Sequence, residues 1–154
     1  MKLSNNLSLN EMTRSNTAQR RGIDNSPTPE HIENMRVLAE KIFQPIREHF
    51  DRPIFVSSGY RSKALNTAIG GSQTSQHSTG EAVDIDMDGT TLSNTDVFNY
   101  IKDNLDFDQL IWEFGNDQKP DWVHVSYKAN GPQRKSILVA KKINNKTTYQ
   151  KYGG

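Results

Sequence analysis

The sequence contains no cysteine among its 154 residues. Disulfide bonds, thiolate zinc sites and cysteine nucleophiles are therefore excluded. Any metal ion must instead be held by the four histidines and by members of the set of 18 acidic residues. A metal site in this chain is limited to nitrogen and carboxylate oxygen ligands.

The sequence also lacks an excess of charge of either sign, with 19 basic and 18 acidic side chains. Its densest basic clusters, Arg20-Arg21 and Lys141-Lys142, are short and typical of solvated surface. A nucleic-acid-binding domain usually gathers a basic excess on one face, so we expect no nucleic-acid partner.

Long apolar runs are absent as well. No segment reaches the length of a membrane span, and the polar N-terminus Met1–Ser8 lacks the apolar core of a signal peptide. We therefore expect cytoplasmic synthesis of a soluble protein without a membrane partner. A substrate outside the membrane would then require a separate means of delivery.

The length fits one domain over residues 1–154, able to bury about two-thirds of its unfolded surface. Residues 1–29 are polar and are interpreted as an N-terminal extension with short helical turns, and residues 143–154 as a peripheral tail. No internal repeat or second domain is indicated, and we expect a monomer.

Apolar periodicity predicts the main elements. A helical stripe follows Thr28 and Pro29, which suit a cap and a first turn, and Pro45 should kink or divide this helix near Phe43. Further helices are predicted over residues 62–69 and 95–105, and strands over residues 53–57, 82–87, 109–114, 122–127 and 136–142. This order favours an α+β domain with a largely antiparallel sheet and helices packed on one face.

Three side chains could together hold a metal ion. His77 lies in a polar, Gly- and Ser-rich loop, Gly80 would let the chain fold back, and Asp84 lies on the following strand. Alternation in residues 122–127 puts His124 on the face opposite its valine neighbours. Each could be an ordinary surface or structural residue. As a set they supply two imidazoles and a carboxylate, and a catalytic zinc site uses three protein ligands and keeps a fourth position for water.

A zinc hydrolase also needs a general base and a cation. Asp121, three residues before His124, and Glu113, which ends an apolar run, are the candidate bases. Arg61 follows a strand end, and its rigid fork of donors suits a substrate carboxylate or carbonyl. Glu113 as an edge residue facing water and Arg61 as a surface ion-pair partner are the alternatives.

Several segments together resemble the zinc D-alanyl-D-alanine carboxypeptidase and peptidoglycan endopeptidase family, which includes VanX- and VanY-like enzymes and phage L-alanyl-D-glutamate endolysins. The resemblance covers roughly residues 24–128 and includes the specific pattern Ser-x-His-x-x-Gly-x-Ala-x-Asp. The segments are Ser58–Ser62, Leu65-Asn66, Gly70-Gly71, Ser75–His77, Gly80–Asp84 and Trp122–His124. The resemblance implies the fold shared by Hedgehog domains and DD-peptidases.

The same resemblance implies roles for individual residues. Zn²⁺ would be the cofactor, and the stem peptide of peptidoglycan would be the partner. The implied zinc ligands are His77, Asp84 and His124, and the resemblance also implies that Arg61 contacts the substrate and that Ser75 lines the site. We expect Gln76 and Trp122 to bind substrate as well, since the shape of the pocket around them and Arg61 would decide which bond is cleaved. The family's usual base is a glutamate three positions before the last histidine, where this chain has Asp121, so Glu113 remains a rival.

The resulting hypothesis is a zinc metallopeptidase that hydrolyses a peptide bond in peptidoglycan, as a D,D-carboxypeptidase or as an L-alanyl-D-glutamate endopeptidase. Without a signal peptide, a phage endolysin that reaches the cell wall through a holin fits this expectation. The alternative, suggested by the missing glutamate, is a non-catalytic zinc-bearing module of the same fold that binds peptidoglycan.

Overall fold

The structure is a computed structural model that describes residues 1–153. Its α-helices are α1 (Leu9–Thr13), α2 (Asn16–Arg21), α3 (Pro29–Leu38), α4 (Gln44–Phe50), α5 (Lys63–Ala68) and α6 (Asn94–Asn104). A π-helix covers Ala39–Phe43 and a 3₁₀-helix covers Gln76–Thr79. The strands are β1 (Lys2–Ser4), β2 (Leu7–Ser8), β3 (Val56–Ser58), β4 (Ala82–Ile85), β5 (Gln109–Glu113), β6 (Trp122–Ser126), β7 (Ser136–Ile143) and β8 (Lys146–Lys151).

Six of these strands form one sheet in the order β3-β4-β6-β5-β7-β8, and β1 and β2 form a separate hairpin. Neighbouring strands of the large sheet are antiparallel except β5 and β7, which are parallel. The predicted α+β class with a largely antiparallel sheet is therefore confirmed.

One face of the large sheet carries the hydrophobic core. Alternate residues of its three central strands are buried there together with residues of α3, α6 and the π-helix. The strand residues on this face are Val83, Ile85, Leu110, Trp112, Val123 and Val125. Because side chains alternate along a strand, the intervening residues point to the opposite face, which no helix of this core covers.

The long helical segment begins and breaks where its prolines predict. The Thr28 hydroxyl accepts a hydrogen bond from the His31 amide, and Pro29 occupies the first turn. Pro45 has no amide hydrogen to donate and follows the π-helix, in which the Gln44 amide bonds to the Ala39 carbonyl five residues back. The predicted division near Phe43 is thus a change of helical pitch rather than an end of the helix.

The first 29 residues pack on the rest of the chain. Leu3, Leu7 and Met12 are buried in the core, and the Met12 carbonyl accepts a hydrogen bond of 2.6 Å from the Tyr60 amide. Asn25 accepts a hydrogen bond of 2.7 Å from the Ser62 amide. This segment therefore supports the loop around Arg61.

The last residues are also ordered into the sheet. Residues 143–154, expected to be a peripheral tail, contain β8, which pairs with β7 from Leu138 to Ile143 and forms the sheet edge. None of the helices within residues 1–153 combines the length and the apolar character needed to cross a bilayer.

We expect Gly80→Ala to destabilise the protein more than Gly89→Ala. Both glycines have positive φ, +82° and +85°, so a side chain is strained by about 1–2 kcal/mol at either position. Only at Gly80 would a Cβ clash, at 2.6 Å from the His31 carbonyl oxygen, which adds about 1–3 kcal/mol of overpacking. Equal losses in urea unfolding free energy for the two variants would contradict this packing argument.

Candidate metal centre and catalytic cleft

The open face of the sheet brings Asp84 and His124 side by side. They are direct partners in the antiparallel pairing of β4 with β6, and His124 is in turn opposite Ile111 of β5. The His124 Nδ1 atom lies 2.9 Å from Asp84 Oδ1. The predicted placement of His124 on the face opposite its valine neighbours is confirmed.

His77 reaches the same place from a separate element. The Ser75 hydroxyl accepts a hydrogen bond from the His77 amide and starts the 3₁₀-helix, and Gly80 ends it in the left-handed conformation. A loop was predicted here, and the short helix is the difference. The His77 Nδ1 atom lies 2.7 Å from the Gly59 carbonyl oxygen, so Nδ1 carries the proton and Nε2 is free to accept or to bind.

The three side chains converge on one point. His77 Nε2 lies 3.3 Å from Asp84 Oδ1, and one ligand atom from each of His77, Asp84 and His124 lies within 4.8 Å of the others. His77 and His124 are buried, at 2% and 9% exposure.

These residues fit a zinc ion. Two imidazole nitrogens facing a single carboxylate oxygen in a buried pocket form a donor set that a divalent cation suits. The hydrogen bond from His77 Nδ1 to a backbone carbonyl is the kind of support that orients a ligating histidine.

Two carboxylates on this face have opposite pKa shifts. Although burial alone would raise it, the neighbouring imidazoles of His77 and His124 hold the pKa of the Asp84 carboxyl well below its usual value. Burial raises the pKa of Glu113 to about 7 from 4.5; Asp84 adds to this rise, while His124 and Arg61 oppose it. Asp84 is thus kept ionised, whereas burial lets Glu113 keep its proton to a higher pH than an exposed glutamate would.

Arg61 faces the same cleft. Its backbone amide donates to the His77 carbonyl at 3.1 Å, and its side-chain Nε is buried without a hydrogen-bond partner within residues 1–153. Burial lowers the pKa of this guanidinium, and the carboxylates of Asp84 and Glu113 oppose that change. A buried guanidinium nitrogen without a partner is ready to donate to an anionic or carbonyl oxygen of a ligand.

Asp121 lies apart from this group. Its side chain is exposed and lines a different depression, beside Phe114 and Lys141. Its backbone is fixed by hydrogen bonds from its amide to the Glu113 carbonyl at 2.8 Å and from Asn94 to its own carbonyl at 3.0 Å. Of the two candidate bases, the structure brings only Glu113 to the cleft that holds the histidines.

The remaining predicted site residues line this cleft of about 710 Å³. Ser75 caps the short helix, and the Gln76 amide donates to Asp108 at 3.0 Å. Trp122 is half-buried and packs on Phe114 with ring centroids 5.5 Å apart. Each of these side chains can therefore contact a ligand in the cleft, or can orient a neighbouring side chain that contacts it.

One wall of the cleft, formed by β7, β8 and the segment before them, was not predicted from the sequence. Leu138, Thr147, Tyr149 and Arg134 line the cleft from this side. Tyr149 lies in one cross-strand row with Ala140 and Glu113. Burial and the charges of Glu113 and Asp84 raise the pKa of the Tyr149 phenol. The alternation of Thr147 and Tyr149 could have indicated a strand, but it is too short to show where in the sheet that strand pairs.

The sequence profile of the Peptidase M15 family matches residues 5–126, which is more than half of the chain. The chain therefore belongs to this family, and the predicted resemblance is confirmed. Members of the family are zinc-dependent metallopeptidases that act on peptidoglycan peptides. The match includes most of the N-terminal 29 residues and ends before β7 and β8. No curated protein sequence matches the chain.

We expect the metal-free protein to bind one Zn²⁺ ion, and His77→Ala, Asp84→Ala and His124→Ala each to weaken that binding by at least about 100-fold, since each removes a ligand. His49→Ala is the matched control, because His49 is exposed and stacks on Tyr100 away from the cleft. Titration calorimetry measures the affinities. Unchanged zinc affinity in the three ligand variants would refute the assignment.

We expect Glu113→Gln to stabilise the metal-free protein at pH 8 but not at pH 5. The folded-state pKa of about 7 lies above the ordinary 4.5, so the stability contribution of Glu113 is fully present below about 4.5 and is lost as pH rises through about 7. Glutamine removes this loss. Thermal unfolding of both proteins between pH 5 and pH 8 should show a difference that grows with pH, and a constant difference would contradict the burial argument.

Proposed function

We propose that this protein hydrolyses a peptide bond in the stem peptides of peptidoglycan, with Zn²⁺ held by His77, Asp84 and His124. The observation that carries the proposal is the convergence of these ligands beside Glu113 in one cleft of an M15 family chain. When bound, the zinc ion supplies a Lewis acid that polarises the scissile carbonyl and makes water acidic enough to attack near neutral pH.

We assign the general base to Glu113. Its carboxylate shares the cleft face with the ligands, since Glu113 lies two residues beyond Ile111, the partner of His124. In this proposal a Glu113 carboxylate oxygen takes a proton from the attacking water and returns it to the nitrogen of the leaving amine. Burial, which raises the pKa of this carboxyl above its ordinary value, favours holding the proton until the leaving amine takes it.

Arg61 is proposed to bind substrate. Its unpartnered Nε donates to a substrate carboxylate or to the developing oxyanion, and its position beside Asp84 and Glu113 orients the peptide against the base. Trp122 and Tyr149 would contact the peptide at the rim of the cleft.

Between the two family activities, we favour the endopeptidase. Along β5 the cleft continues past the metal ligands in both directions, to Gln109 on one side and to Phe114 on the other. A carboxypeptidase needs space for only a terminal residue beyond the scissile bond. A cleft that extends on both sides is better suited to a bond within the stem peptide.

We expect the zinc-loaded protein to release new amino groups from purified sacculi, and Glu113→Gln to lower this rate by about 100-fold to 10,000-fold while zinc affinity is kept. Asp121→Asn, the matched control, should retain the rate within about threefold, because its exposed side chain does not reach the cleft. Mass spectrometry of the released muropeptides identifies the bond.

The possible outcomes separate the assignments. A rate lost in Asp121→Asn but retained in Glu113→Gln would make Asp121 the base. A zinc-loaded protein that binds sacculi but produces no new amine would instead support the non-catalytic binding module. Release of free D-alanine without internal cleavage would favour the carboxypeptidase.

A further inference from the structure

A second arginine of the cleft is held in place by a buried carboxylate. Asp108, which immediately precedes β5, is fully buried. It accepts hydrogen bonds from Arg134 Nε at 3.1 Å, Arg134 Nη2 at 2.8 Å and the Arg134 amide at 2.9 Å. Both backbone and side chain of Arg134 are therefore fixed by one residue.

This anchoring leaves part of the guanidinium free. Nη1 of Arg134 donates no hydrogen bond to any residue among 1–153, and the side chain is 55% exposed while it lines the cleft. Gln76 Nε2 also donates to Asp108, at 3.0 Å, and so connects this anchor to the residue beside His77.

The two arginines lie toward different ends of the cleft. Arg61 is close to Asp84 and Glu113, whose charges act on it, whereas Arg134 is bound to Asp108, the residue before β5. Ile111, which is in register with Asp84 through His124, and Glu113 lie three and five residues beyond Asp108, a separation of about 10–16 Å of strand. An extended peptide of about four residues covers the same length.

We propose that Arg134 is a second carboxylate-binding residue of the cleft, one that selects peptides carrying an anionic group several residues away from the group bound by Arg61. The ligand class, a peptide with two separated carboxylates, follows from the paired cations and their spacing. Stem peptides offer such groups at the free carboxylate of a γ-linked D-glutamate and at the C-terminus. This inference rests on the proposed function for the identity of the peptide.

The hydrogen bonds from Arg134 to Asp108 lower the entropic cost of binding a ligand. Arg134 loses little conformational freedom when it meets a ligand, because Asp108 already holds it. Charge-assisted hydrogen bonds from an oriented guanidinium are among the stronger polar contacts, even where solvent partly screens the charge.

The test measures binding of fluorescent stem peptides to the zinc-loaded protein in a Glu113→Gln background. The probes are L-Ala-γ-D-Glu-L-Lys-D-Ala-D-Ala, its analogue with D-isoglutamine in place of D-glutamate, and its C-terminal carboxamide. We expect Arg134→Gln to weaken binding of the first probe by about 10-fold. One of the two analogues lacks the carboxylate that Arg134 binds, and Arg134→Gln should not weaken the binding of that analogue. The analogue that is unaffected therefore identifies the carboxylate.

Two companion variants keep the test interpretable. Asp108→Asn with Arg134→Gln removes both charges, so no buried carboxylate loses its partner if Arg134→Gln alone fails to fold. Arg36→Gln is the matched control, because Arg36 pairs with Glu33 at 3.7 Å on α3 and does not line the cleft. It should bind all three probes as the parent does.

Equal weakening for all three probes, or no weakening for any, would overturn the proposal and leave Arg134 as a structural partner of Asp108. Hydrolysis by the protein with Glu113 intact is measured on the same peptides. If the protein cleaves the peptides but Arg134→Gln does not change their binding, only the inference about Arg134 is refuted. If binding depends on Arg134 but the protein cleaves no peptide, the inference is supported and the proposed hydrolase activity is refuted.

Discussion

The cross-strand pair of Asp84 and His124 is the interaction on which the rest of the site depends. The two residues are register partners on the central strands β4 and β6, and a slip of either strand by one residue would turn its member of the pair toward the apolar core. The buried valines of β6 prevent that slip because they fill the opposite face. Core packing therefore fixes the sheet register, and the register in turn places a carboxylate and an imidazole 2.9 Å apart.

The acidic residues in and beside the cleft have different pKa values because their surroundings differ. The two imidazoles hold the pKa of Asp84 low, whereas for Glu113 the effects of His124 and Arg61 are smaller than the effect of burial, which pushes its pKa toward neutrality. Asp108 is also buried, but Arg134 and Gln76 supply donors that lower its pKa to about 2, against the effect of burial. The same kind of side chain thus has three different environments in one region, and these suit the roles proposed for them: metal ligand, proton carrier and anchor.

The cleft is assembled from two parts of the chain, one that matches the family profile and one that follows it. The matched part contains the candidate metal ligands, Glu113 and Arg61, and the part after residue 126 contributes Arg134 and Tyr149. The parallel pairing of β5 with β7 brings these later residues to the metal side of the sheet. Chemistry would then reside in the matched part, and selection among peptides in the later strands.

The sequence by itself determined the type of the main helices and of the central strands, the break at Pro45, the face of His124 and the family, but not the hairpin of β1 and β2, the 3₁₀-helix or β8. Each of the features that it determined follows from local alternation, from backbone chemistry or from a motif of fixed spacing. Tertiary structure alone decided between Glu113 and Asp121 as the cleft carboxylate and revealed Tyr149 and Arg134. Those placements depend on strand order and on pairing between segments distant in sequence, which apolar periodicity within one strand does not specify. Only after β5 lies between β6 and β7 do Glu113, His124 and Arg134 come to line one cleft.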